Sequence, residues 1–132
     1  MLIRLEKTVI NAVVKEIKKL KNDEALVKLG ERLRRIDGEK LEVILQTKIL
    51  DEIYSRRISN NLVAVYELRV SKGKGREKNI RALLCGFKEV NNVRQNIITL
   101  HLVKVWKKDT QKVPREYIDL AIKRFRNISE EI

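Results

Sequence analysis

In 132 residues this chain has one cysteine, one histidine, one proline and one tryptophan. A lone thiol, Cys85, excludes an intramolecular disulfide, and its place in an apolar run marks it as a small buried hydrophobe rather than a nucleophile. One His and one Cys make no zinc-binding set, and the acidic residues show no calcium-loop spacing, so no metal site is expected. Neither the P-loop pattern nor the dinucleotide fingerprint occurs, and Lys72-Gly-Lys-Gly-Arg76 is only a glycine-basic turn, so no cofactor is implied. No apolar run reaches the ~18 residues of a membrane-spanning helix, and the N-terminus lacks a secretory-signal pattern. The expectation is a cytoplasmic protein with no membrane partner.

Positive charge is abundant. Thirty Lys and Arg against eighteen Asp and Glu give a formal charge of +12 and a pI near 10.0. Such a balance favours a polyanionic partner, RNA or DNA before a membrane surface, over charge carried only for solubility. The 43% hydrophobic content provides for one core, hence a single domain over residues 1–132.

Periodicity orders the elements. Leu2 to Leu5 reads as a short edge strand, and Val9, Ile10, Val13, Val14, Ile17 and Leu20 recur at helical spacing. Asn22-Asp23 caps a second helix carrying Leu26, Leu29, Leu33 and Ile36, which Asp37-Gly38 ends. Residues 39–58 fit a helix through Leu41, Ile44, Leu45, Ile49, Leu50, Ile53 and Tyr54, although Leu41, Val43 and Leu45 also alternate as in a strand. Strands follow at Leu62–Val70, Ile80–Phe87 and Asn96–Trp106, joined by the basic loop Ser71–Asn79 and the turn Val90–Gln95. Pro114 suits the first position of a last helix striped by Tyr117, Ile118, Ala121, Ile122 and Phe125. Helices, then a meander, then a helix predict an α+β fold.

The richest stretch is 79–114, where apolar strands run out into Lys107-Lys-Asp-Thr-Gln-Lys-Val-Pro114. Cations at a strand end beside a helix start suit a phosphate backbone. Taken together, Val65-Tyr-Glu-Leu-Arg69, Ile80-Arg81 and the run from Val103 to Pro114 resemble the phage-derived, HigB-type branch of the RelE/ParE toxin superfamily. The resemblance covers about Tyr66 to Arg126. It implies a RelE-like fold in which an N-terminal helical hairpin packs on a small antiparallel β-meander sheet, with a C-terminal helix. It also implies a type II toxin that inhibits translation as a metal-independent endoribonuclease on ribosome-bound mRNA, paired with a cognate antitoxin expected to be acidic or to carry an acidic segment. The substrate's 2′-hydroxyl would attack the adjacent phosphate while cations stabilise the developing charge.

By that match Arg81, Lys108, Arg69 and Lys104 are the candidate catalytic residues. Lys107, Lys112, Tyr66, Lys72, Lys74 and Arg76 are candidates for binding RNA. The chain departs from the pattern in placing Lys104 where a histidine is common, Asp109 in the lysine run and Val113 in place of a capping threonine. The residues have structural alternatives: Tyr66 and Tyr117 as core, His101 as a packed imidazole, and the lysines as a solvated patch. Two other functions stay open, a non-catalytic nucleic-acid or protein-binding module of this fold and a ParE-like gyrase poison.

Overall fold

The computed structural model describes residues 1–70, 80–107 and 112–129. It is an α+β structure of four helices and a six-stranded sheet. Strand β1 (Leu2–Leu5) leads into helices α1 (Asn11–Leu20) and α2 (Asp23–Ile36). Lys21, at φ 48, stops the first helix, and the Asn22 side chain accepts from the Ala25 amide at 3.1 Å to start the second. Asp23 and Glu24 in the first turn of α2, with Arg34 and Arg35 in the last, match the helix dipole at both ends.

The single helix expected over 39–58 is replaced by two elements. Helix α3 (Leu41–Gln46) lasts six residues, and Leu50–Ile58 forms strand β2. The break falls at Thr47 and Lys48, the latter in the left-handed region at φ 61. From there eight residues pair with β3 (Asn61–Arg69), Ile53 being bulged, and Ile53, Tyr54 and Ile58 pack against the cluster that holds the last helix. Those tertiary gains outweigh the helical spacing of the same side chains.

Strands β4 (Ile80–Val90), β5 (Val93–Arg94) and β6 (Ile97–Lys107) follow, then helix α4 (Arg115–Ile128). Pro114 occupies the cap of α4 rather than its first turn. The strand order is β1-β6-β4-β3-β2, with β5 pairing β4. Strands β2, β3, β4 and β6 make the expected antiparallel meander, whereas β1 joins β6 in parallel.

Both faces of the sheet are covered. Val13 of α1, Ala25, Leu29 and Ile36 of α2, and Leu41 and Ile44 of α3 share one apolar cluster with Tyr66, Leu68, Ala82 and Leu84. Ile118, Ala121, Ile122 and Phe125 of α4 form the other with Val65, Leu83, Cys85, Val103 and Trp106. Period-two alternation therefore sends Tyr66 to one face and Glu67, Arg69, Arg81 and Leu83 to the other.

Two of the sheet's edges are closed by the chain itself. Beside β1, the Ile3 amide donates to Glu39 O and the Gly38 amide to Ile3 O, each at 2.8 Å, with Gly38 at φ 81. Where β6 runs past the end of β1, α1 brings Glu16 against it, and Glu16 Oε1 accepts from the Val105 amide at 3.2 Å. At the opposite edge, β2 has no neighbour beyond it among the described residues.

Candidate functional site

Four strand ends meet at one end of the α4 face. Arg69 and Arg81 are directly opposed across β3 and β4, and Arg81 faces Trp106 across β4 and β6. Ile80 pairs with Lys107, an exposed lysine at the end of β6, and Lys112 is exposed shortly before α4 begins. Two of the proposed residues, Arg69 and Arg81, thus share this corner on the α4 face, whereas Lys107, paired with Ile80 and two residues after Val105, is sent by strand alternation to the opposite face.

Carboxylates hold the two arginines in this corner. Arg69 Nη2 is 3.1 Å from Asp51 Oδ2 on β2, and Arg81 Nε is 3.8 Å from Glu67 Oε2. Arg81 also donates to its neighbour's carbonyl, Ile80 O, at 3.3 Å. Its side chain is only 13% exposed and that of Glu67 only 7%. Burial draws the Arg81 guanidinium below its ordinary pKa, Glu67 opposing the effect and the Arg69 charge adding to it. A guanidinium fixed in place beside a second cation is suited to holding a phosphate.

Lys104 does not join this corner. The β4–β6 pairing slips between Leu83 and Leu84, which oppose Lys104 and Leu102, so Val103 and Lys104 fall on the same side of the sheet. The Lys104 ammonium lies 4.4 Å above the centre of the Tyr117 ring and 2.8 Å from Glu16 Oε2. Glu16 also binds Arg124 of α4 through both oxygens at 3.0 Å, and Arg124 donates to Val103 O at 2.9 Å. The charge of Lys104 is neutralised in a knot that ties α1 and α4 to the bulged strand.

Tyr66 is fully buried on the opposite face, where burial and then the neighbouring Glu52 push its phenol pKa far up, so its ring is not offered to a base. Cys85 is buried, and burial raises its thiol pKa far above the ordinary value, in keeping with a packed hydrophobe. The His101 ring packs against that of Phe125, centroids 5.5 Å apart and planes tilted by 59°, and burial lowers its pKa while Glu6 opposes the shift. Lys72, Lys74, Arg76 and Lys108 lie outside the described residues.

Sequence reading passed over Glu67 and Asp51. A signal for Glu67 existed, because a residue two before Arg69 in a strand shares its face. A second group of cations was also missed: Arg56 of β2 with Lys123 and Arg126 of α4 lines a groove of about 530 Å³ together with Asp119 and Asn127. Among the described residues no group of three acidic, His or Cys side chains is placed to hold a metal ion, and no helix is long and apolar enough to cross a membrane.

No family model, no curated protein and no solved structure matches the chain.

Proposed function

We propose that this chain is the toxin of a type II toxin–antitoxin pair, a metal-independent, ribosome-dependent mRNA endoribonuclease that inhibits translation and is neutralised by an acidic antitoxin. The observation that carries the reading is the direct opposition of Arg69 and Arg81 at one corner of the α4 face. Two guanidiniums there would bind a phosphodiester and stabilise the charge that develops on its oxygens as the 2′-hydroxyl attacks. Glu67 and Asp51 act as positioning residues, holding Arg81 and Arg69 in the orientation the phosphate meets.

A specific observation favours a second reading, a module that binds nucleic acid without cutting it. Arg69, Arg81 and Lys104 each have a carboxylate within 4.0 Å, and the chain's histidine packs against Phe125, away from the corner. Inducible expression with growth measurement and mapping of transcript 5′ ends separates the readings. New ends within coding regions support the endoribonuclease. RNA binding without new ends supports the second reading, DNA breakage points to a gyrase poison, and none of the three overturns the proposal.

A further inference from the structure

The edges of a sheet expose backbone donors and acceptors that other chains can pair with, and folded proteins usually cover them. Here the segment 37–41 covers β1 and Glu16 covers the end of β6, yet β2 presents its outer edge over Leu50–Ile58. Among the described residues no other backbone group pairs with that edge. Immediately beside it, on the α4 face, lies the groove of Arg56, Lys123 and Arg126. All three are exposed. Among the described residues none of the three has a carboxylate within 4.0 Å, whereas Asp51, Glu52 and Arg57 of the same strand are bound to Arg69, Lys88 and Glu89. The acid that lines the groove among the described residues, Asp119, is bound to Arg115 at 3.1 Å.

We propose that the outer edge of β2 and this groove form a docking strip for an acidic, extended segment of a partner protein, which adds to the sheet as a further strand. Its backbone would pair with β2, and the carboxylates on its α4 side would meet Arg56, Lys123 and Arg126. Charge and hydrogen-bond chemistry select this occupant. A second copy of the chain would bring the same cations and another +12 toward them. A nucleic-acid backbone offers the cations phosphates, but it lacks the alternating amide donors and carbonyl acceptors that match the repeat of the β2 edge. An acidic peptide satisfies the cations, the amides and the carbonyls together. The cations of the groove lie at the Arg56 end of β2 and the C-terminal half of α4, whereas Arg69 is held at the other end of the strand by Asp51, so the inference does not need the chain to act on RNA.

The test uses the full chain and a fluorescent twelve-residue peptide with glutamate at alternate positions and valine or threonine between. Anisotropy should report binding that falls about tenfold in the Arg56→Gln/Lys123→Gln/Arg126→Gln variant, the scale of losing three exposed ion pairs. Methylating alternate backbone nitrogens of the peptide should abolish binding, and hydrogen exchange should slow at β2 amides when the unmodified peptide is bound. Because all three substitutions are at exposed positions, the variant should melt with the parent chain. Absence of peptide binding, equal binding of the methylated peptide, or unchanged exchange at β2 overturns the proposal. So does loss, in the triple variant, of single-stranded RNA binding or of a sedimenting dimer when the peptide itself does not bind, which would assign the strip to RNA or to a second copy.

Discussion

Removing the Glu16 carboxylate of α1 should weaken the fold. Its oxygens take Lys104 at 2.8 Å, Arg124 at 3.0 Å twice and the Val105 amide at 3.2 Å. The Lys104 and Arg124 side chains are only 10% and 17% exposed. Glu16→Ala would leave two cations facing each other in a poorly hydrated site and an edge amide without its acceptor. Breaking a fully buried pair costs about 3–5 kcal/mol. Partial exposure brings this to about 2 kcal/mol, and the lost amide bond adds about 1 kcal/mol. The expected total is about 3 kcal/mol, a fall of roughly 10 °C in Tm for a domain of this size. Glu16→Gln keeps an acceptor for Val105 and should cost about 1 kcal/mol less. Lys104→Met on the Glu16→Ala background should recover part of the loss, since it removes one uncompensated charge. Urea titration read by circular dichroism measures all three. A Glu16→Ala protein within ~0.5 kcal/mol of the parent, the usual range for a surface substitution, would refute the knot as a structural tie.

Three further outcomes follow from the packing. A Cβ on Gly86 would stand 2.6 Å from Thr99 O and 2.8 Å from Ile98 Cγ1, so Gly86→Ala should destabilise by about 1–3 kcal/mol, read from the urea midpoint. Asn22→Ala removes the cap of α2 and should cost about 1 kcal/mol in the same assay. His101 has its pKa lowered from 6.5 by burial, so the unfolded chain binds its proton more readily. Its contribution is fully present above 6.5 and is lost as the pH falls through the lower folded value. The urea midpoint should therefore drop on acidification below 6.5 by more in the parent than in His101→Phe.

Much of the fold was legible because local signals and tertiary packing agreed. Asn22 and Gly38 bound α2 as their chemistry suggests, and the branched and aromatic runs became β3, β4 and β6. Strand β2 was hidden because Leu41 through Tyr54 fits a helical stripe, and the break at Thr47-Lys48 has no glycine or proline to announce it. The opposition of Arg69 and Arg81 followed from antiparallel pairing, but the register that sets them face to face depends on the whole of β3 and β4. Lys104 misled for a definite reason. Alternation cannot foresee a bulge that turns two successive residues to one side, nor a glutamate 88 residues away that meets the ammonium there. Arg56, Lys123 and Arg126 are distant in sequence, and only the packing of α4 against β2 brings them together.

The central claim is tested most directly by the rate of transcript cleavage in translating extracts with Arg81→Ala, alongside its melting curve. If Arg81 stabilises the phosphate, its loss should raise the activation barrier by about 2–4 kcal/mol, roughly 30- to 1000-fold in rate, with the protein still folded. Arg81→Lys should restore only part of the activity, because it keeps the charge and loses the bidentate fork. A folded Arg81→Ala protein that cleaves at the parent rate would contradict the account.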